Sequence, residues 1–280
     1  MEKDAASLET DCLNCGARVK GNFCHECGQR VRDNGDRSIR RLVGEVLGNL
    51  FFLDNRFVLS MLYLVRYPNR MTVEFLGGQR KKFISPVTLF LFLNLIYFFV
   101  NPLSDYSLSL YDQANSQPYS AWIKGMVESK LKDEGLEVET YSVKYQNTSD
   151  DISKSIMIIN VPMIAVFVYL MAFKRRRFYF DSLIFAFHFF SLFMASWIVL
   201  DWVDSLIDWI YGHSNSMISF ISFNFFAFIL PLLYAMLGIK TFLNIRWYWA
   251  IPAGIGVMIA LSLANFFYRF IIFLITFWVT

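Results

Sequence analysis

Five stretches of this chain are almost entirely apolar over about twenty residues each, the length of helix that spans the roughly 30 Å hydrocarbon core of a bilayer. The composition agrees, since 56% of the residues are hydrophobic and 18% are charged, against about 25% charged residues in an average soluble domain. We therefore predict an all-α polytopic membrane protein with about five transmembrane helices. The predicted spans are 84–103, 155–173, 182–200, 218–239 and 247–268, the last followed by an interfacial end after Arg269.

Lysine and arginine residues collect in alternate connections between the predicted spans. They precede the first span, separate the second from the third, and separate the fourth from the fifth; they are Arg80, Lys81, Lys82, Lys174, Arg175, Arg176, Arg177, Lys240 and Arg246. Such connections stay in the cytoplasm. The start of the chain is polar and acidic and has no apolar run of the signal-peptide kind. We expect a topology with the amino terminus in the cytoplasm and the carboxyl terminus outside.

Residues 104–154 are polar and fall on the opposite side of the predicted bilayer. A helix is predicted over 121–133. The alternation in "LEVETYSVKY" (136–145) predicts a strand. We interpret this segment as a small extracytoplasmic insert, either an α/β cap over the helices or a flexible loop.

All four cysteines lie within "CLNCGARVKGNFCHECGQR" (12–30), in two Cys-x2-Cys pairs that are each followed by glycine. Glycine adopts positive φ without a Cβ clash, as a tight turn behind the thiolates requires. Four thiolates suit tetrahedral Zn²⁺ and leave it no open position, and reduced thiols persist in the cytoplasm. We predict a structural zinc ribbon over 1–32, with zinc favoured over iron and over redox chemistry. The ligands are Cys12, Cys15, Cys24 and Cys27.

The segment 33–83 connects the ribbon to the first span. Apolar residues at 39–50 recur with helical spacing, and a second apolar stretch covers 57–65. We predict amphipathic helices that lie on the inner membrane surface or pack on the bundle; a soluble helical hairpin is the alternative. A short helix over 69–76 should end at Gly77-Gly78. The basic residues that follow are candidates for lipid headgroup contacts: Arg80, Lys81 and Lys82.

Three segments together resemble an uncharacterised bacterial family of zinc-ribbon membrane proteins, grouped as a domain of unknown function. They are the cysteine segment above, "NLFFLDNRFVLSMLYLVRYPNRMTVEFLGGQRKKFISPVTLFLFLNLIYFF" (49–99) and "LIFAFHFFSLF" (183–193). The residues that carry the likeness are Leu53, Asp54, Pro68, Gly78, Arg80, Lys81, Phe83, Pro86 and His188. The resemblance implies a bacterial inner-membrane protein and no particular activity.

His188 lies in the middle of a phenylalanine-rich span, where ionisable groups are costly and often functional. It is our candidate functional residue within the membrane, and a neutral histidine bonded to a neighbouring helix is the alternative. No nucleophile–base pair or phosphate-binding glycine loop stands out in the sequence, so we do not expect an enzyme. We expect a scaffold or adaptor. Its expected partners are the lipid bilayer and a protein that binds the ribbon, and we do not expect it to bind nucleic acid. A transporter or lipid-handling protein is the second hypothesis.

Overall fold

The structure is a computed structural model that describes residues 10–30, 55–67, 70–100, 108–175, 177–211 and 216–280. The predicted stripe at 39–50, the Leu53-Asp54 pair and Pro68 lie outside the described residues. Two short strands come first, β1 (Thr10–Asp11) and β2 (Arg18–Val19). The helices that follow are α1 (Asn55–Arg66), α2 (Arg70–Leu76), α3 (Pro86–Val100), α4 (Leu110–Asn115), α5 (Ser120–Glu134), α6 (Val138–Ile156), α7 (Asn160–Ala172), α8 (Tyr179–Tyr211), α9 (Ser216–Leu243) and α10 (Trp247–Val279).

In the part of the chain that the structure describes, four helical segments are long and apolar enough to cross a membrane, so this is a multi-pass membrane protein. They are Val138–Ala172, Tyr179–Ile207, Phe226–Leu243 and Trp247–Val279. The first span predicted from the sequence corresponds to α3, which is apolar but shorter, with 15 residues in the described chain. The all-helical architecture predicted from the apolar stretches is therefore confirmed, with a helix count close to the expected one.

The bundle is organised around α8, which packs against α3, α7 and α9, while α10 lies against α9 and α7. Large aromatic side chains fill these contacts. Phe90 of α3 meets the rings of Phe187 and Phe190, and Phe185 stacks on Phe242 of α9 with ring centroids 5.2 Å apart. Because aromatic pairs contribute beyond the area they bury, the phenylalanine-rich sequence of α8 suits a helix with neighbours on several sides.

The short helix α2 matches the one predicted over 69–76 and is packed on the bundle. It contacts α8 and α9, and it buries Met71, Thr72 and Phe75. The helix ends at the two glycines expected to stop it, and Gly78 has a φ of +108°. A residue with a side chain rarely adopts this φ, so the chain turns away here towards α3.

In the segment predicted as an extracytoplasmic insert, the regular elements described from residue 108 onwards are all helices, joined by short turns. The predicted helix at 121–133 is confirmed by α5, but the predicted strand at 136–145 is wrong, because these residues belong mainly to α6. Two of the alternating apolar residues, Tyr141 and Tyr145, are also four residues apart, so they lie on one face of a helix. Both are buried in the structure. We call the unit formed by α4, α5 and α6 the cap.

The cap is built around the end of α10. Phe273 and Phe277 join Ile123, Val127 and Tyr145 in one apolar cluster. The sequence analysis ended the last span at residue 268 and predicted an interfacial end after Arg269. In the structure α10 continues without a break to Val279, and its last turns belong to the apolar cluster of the cap. Lysine side chains bond the carbonyls at the end of this helix, since Lys130 Nζ donates to the Phe277 carbonyl at 2.7 Å.

The cationic connections share one end of the bundle. Phe90, the fifth residue of α3, packs against Phe187, the ninth residue of α8. Both helices therefore make this contact near their beginnings, which follow the Arg80–Lys82 turn and Arg177. Arg177 also donates to the carbonyl of Phe242, at the end of α9. The cap lies at the opposite end, together with the last residues of α10.

Candidate metal centre

Residues 10–30 form two cysteine-bearing turns, which we call the first knuckle (Cys12–Cys15) and the second knuckle (Cys24–Cys27). Both have the same backbone bonding. The N–H of each leading cysteine donates to the carbonyl five residues later, at 2.8 Å for Cys12 and 2.7 Å for Cys24. The glycine after each knuckle donates back to that cysteine's carbonyl. Gly16 and Gly28 have φ values of +77° and +66°, as the turn predicted from Cys-Gly requires.

The four cysteine sulfurs converge, and all lie within 4.8 Å of one another. Two of the pairs are closer, with Cys12 Sγ 3.6 Å from Cys27 Sγ and Cys15 Sγ 3.5 Å from Cys24 Sγ. All four are free thiols. A tetrahedron of sulfurs about 2.3 Å from zinc has edges of about 3.8 Å. The donor set and its spacing therefore fit a metal ion of this size.

The interior of the ribbon consists mainly of the candidate ligands. Its buried cluster contains Cys12, Val19 and Cys24, with Ala17 and Cys27 packed against them. The backbone N–H of Cys27 lowers the pKa of the Cys24 thiol to about 6, which favours the thiolate at this position. The Ala17 N–H acts to lower the pKa of the Cys15 thiol, but burial and the neighbouring sulfurs outweigh it and raise that pKa to about 12. We expect a module with so small an apolar core to depend on a bound metal for folding.

The ribbon is docked on the turn that joins α2 to α3, a contact that the sequence analysis missed. The side chain of Gln29 donates from Nε2 to the Gly78 carbonyl at 2.7 Å and accepts at Oε1 from the N–H groups of Arg80 and Lys81, both at 3.3 Å. Asn14 Oδ1 accepts from the Lys82 N–H at 3.1 Å. The docking residues carry no sequence signal of their own, because an exposed amide side chain beside a knuckle is unremarkable until its partner is known.

The ribbon also approaches the turn through an apolar contact. A Cβ on Gly78 would lie 2.7 Å from Leu13 Cδ1, closer than real carbon atoms approach. Gly78 is thus required twice, by its positive φ and by the side chain from the first knuckle above it.

The three basic residues predicted to contact headgroups have different surroundings. Lys82 Nζ is bound to Glu74 Oε2 at 2.6 Å and to the Tyr63 hydroxyl at 3.1 Å. Burial acts to lower the pKa of Lys82, but the hydrogen bonds from Glu74 and Tyr63 outweigh it and the pKa is raised. The Arg80 guanidinium lies over the Phe75 ring, and Lys81 is exposed. Lys82 is therefore held within the protein, while Lys81 faces outward.

His188 is a residue of α8, and its fully buried side chain faces α2. Its Nδ1 is 2.9 Å from the Thr72 hydroxyl, and the Phe75 ring packs edge-on against the imidazole at 6.2 Å. Nε2 has no hydrogen-bond partner among the described residues. The sequence singled out this histidine but gave no indication of Thr72, which lies 116 residues away.

A family model described as a protein of unknown function (DUF3667) matches residues 54–98. The match covers α1, α2, the docking turn and most of α3, so the chain is similar to that family over the segment that receives the ribbon. Comparison with curated proteins and with solved structures gives no match.

Proposed function

We propose that this protein is a non-catalytic scaffold or adaptor of the bacterial inner membrane, with a zinc-bound ribbon as its cytoplasmic docking head. The observation that carries the proposal is the combination of a closed four-thiol cluster with direct bonding of its knuckles to the turn before α3. The metal then serves to shape a small protein surface and to hold it against the membrane bundle.

The ligand set supports a structural role for the metal. Four thiolates complete the tetrahedral coordination of zinc, whereas catalytic zinc sites keep one position for water or substrate. The ribbon is also attached at both knuckles, through Asn14 of the first and through Gln29 just after the second. A head fixed in this way presents its free surface in one orientation, which suits a docking function.

The surroundings of His188 favour a scaffold over a transporter. A transport pathway through the bundle would place this residue beside a hydrated cavity. Instead, Thr72 and Phe75 contact the imidazole, and the side chain is completely buried. This arrangement fits a polar contact that fixes α2 on α8.

An exposed surface around the second knuckle is our proposed partner site. Phe23 is 62% exposed there, and the side chains of His25 and Glu26 are each 66% exposed. These two residues occupy the positions in the second knuckle that Leu13 and Asn14 occupy in the first. The first knuckle is docked on the chain itself, which leaves the equivalent surface of the second for another protein.

The proposal is tested by cross-linked affinity purification of the full-length protein from its native membrane. Proteins that copurify with the wild type should be lost when Phe23→Ser and His25→Ala are combined, while stoichiometric zinc is retained. A matched control is Tyr111→Ser, which changes a residue of similar exposure on the cap. Copurification that survives removal of residues 10–30 would contradict an adaptor role for the ribbon.

A further inference from the structure

In the turn between α2 and α3, most of the backbone N–H groups donate to side chains of other elements instead of to the turn itself. In residues 80–84, the Arg80 N–H donates to the Gly78 carbonyl, and those of Lys81 and Lys82 donate to side chains of the ribbon. The Ile84 N–H donates to Ser60 of α1 at 2.9 Å. A backbone N–H group that is shielded from water and left without an acceptor costs free energy. The conformation of this turn therefore depends on the elements that supply its acceptors.

The ribbon residues that bind the turn are positioned by the knuckles. Asn14 lies between the two cysteines of the first knuckle, which is closed by the Gly16 N–H on the Cys12 carbonyl. Gln29 is fixed through its own carbonyl, which accepts from the N–H of Cys24. Both amide side chains are therefore placed by backbone that only a folded ribbon maintains.

We infer that the ribbon is a metal-dependent clamp on residues 78–82, so that metal loading determines whether the turn before α3 is held or released. The inference rests on the proposed zinc site. Its physical basis is that Cys12, Cys24 and Cys27 form most of the ribbon's core. Loss of the metal removes the forces that hold the knuckles together, and with them the acceptors for Lys81 and Lys82.

Release affects the three cations differently. Lys82 keeps its bonds to Glu74 and Tyr63, which do not involve the ribbon. Arg80 and Lys81 lose Oε1 of the Gln29 side chain, which accepts from the backbone N–H groups of both residues. The clamp therefore controls how two positive charges are presented at the start of a membrane helix, which makes the ribbon a regulatory element in addition to a docking head.

Limited trypsin digestion of the full-length protein in nanodiscs tests the clamp, because trypsin cleaves after Arg80 and Lys81. We expect slow cleavage at these sites in the zinc-loaded protein. Chelation should accelerate it about tenfold by local opening, and added zinc should restore the slow rate. Mass spectrometry identifies the cleavage sites, which separates them from cleavage within the ribbon itself.

Variants separate docking from metal binding. Asn14→Ala combined with Gln29→Ala removes the bonds to the turn and should retain stoichiometric zinc, yet it should be cleaved as fast as the chelated wild type. Asn22→Ala removes an exposed amide side chain of the ribbon outside both knuckles and should be cleaved at the wild-type rate.

Two results would overturn the inference: unchanged cleavage after chelation, or full protection in the zinc-loaded double variant. A protein that neither contains nor takes up zinc would refute the proposed metal site and the metal control together. In that case, faster cleavage of the double variant would still report docking of the ribbon, so the two failures are distinguishable.

Discussion

In the ribbon, the contacts of a residue depend on its position in a knuckle and on its distance from the docking turn. The cysteines converge because two glycines reverse the chain behind them, with φ values of +77° at Gly16 and +66° at Gly28. Leu13 and Asn14 lie between two of these cysteines and bind the membrane domain, whereas His25 and Glu26 are exposed in the equivalent positions. The two knuckles therefore have nearly the same backbone, but their side chains make different contacts.

Replacing one ligand should disrupt the ribbon and leave the bundle intact. We expect Cys12→Ser to abolish stoichiometric zinc binding, because the remaining three thiolates hold the ion more weakly and Cys12 is also part of the small core. Amide hydrogen exchange should accelerate across residues 10–30 and remain slow in α8 and α10. Native mass spectrometry measures the zinc, and retention of stoichiometric metal by the variant would count against the site.

The bond between His188 and Thr72 is expected to stabilise the packing of α2 on α8. A double-mutant cycle of Thr72→Val and His188→Phe should give a coupling energy of about 0.6 kcal/mol, the average for polar contacts in membrane bundles. Denaturant unfolding in detergent measures it, and both single variants should still insert. A variant that folds normally but loses a transport-related growth phenotype would favour the transporter hypothesis instead.

Helices in this bundle approach closely where one of them lacks a side chain. Gly254 of α10 faces Met236 of α9, and a Cβ on Gly254 would lie 3.0 Å from both the backbone nitrogen and the Cα of Met236. Since a backbone atom cannot move aside as a flexible side chain can, the two helices must separate to accept any larger residue. Small residues are typical of such contacts in membranes.

Gly254→Ala should therefore destabilise the bundle, by about 1–3 kcal/mol as for overpacking of a dense core. The matched control is Gly125→Ala in α5, where an added Cβ meets nothing within 4 Å. There the substitution should be neutral or stabilise by up to about 1 kcal/mol, because alanine has the higher helix propensity. Thermal unfolding of the purified proteins in one detergent compares them, and equal destabilisation by both would exclude the packing explanation.

The end of α10 should determine whether the cap folds. Phe273 is fully buried between the cap helices, so Phe273→Ala is expected to cost about 3 kcal/mol or more. Hydrogen exchange should then accelerate in α5 and α6 and not in α8. Trp278→Ala is the control on the same helix, since this side chain is 78% exposed. Unchanged exchange in the Phe273 variant would mean that the cap folds independently of α10.

The whole molecule has two chemically distinct ends. One end carries the ribbon, the docking turn and Arg177, and the other carries the cap with the last residues of α10. Because positively charged connections stay in the cytoplasm, we propose a topology with the ribbon inside and the cap outside.

Reporter fusions test this topology directly. A reporter active in the cytoplasm should function when fused before Met1 and fail when fused after Thr280, and one active outside should give the opposite result. The reverse pattern at both positions would place the ribbon outside the cell, where thiols are oxidised, and would contradict the proposed zinc head.

The features that were predicted correctly from the sequence are local ones. The apolar stretches, the cysteine spacing and the glycine stop after residue 76 each depend on neighbours within a few turns of chain, and each is found in the structure. Where a local pattern was ambiguous, the prediction was wrong: the alternation at 136–145 suits a strand, but Tyr141 and Tyr145 face a shared apolar core as part of a helix.

What the sequence determined by itself is the class of protein, since a bilayer requires helices of a given length and apolar surface whatever their arrangement. The tertiary structure decided which helices are neighbours, because many packings satisfy the same apolar surfaces equally well. Contacts such as Gln29 with Gly78, Thr72 with His188, and Ser153 with Tyr268 join residues 49, 116 and 115 positions apart. They exist because packing brings distant polar groups together where water cannot satisfy them, and no property of either residue alone indicates the partner.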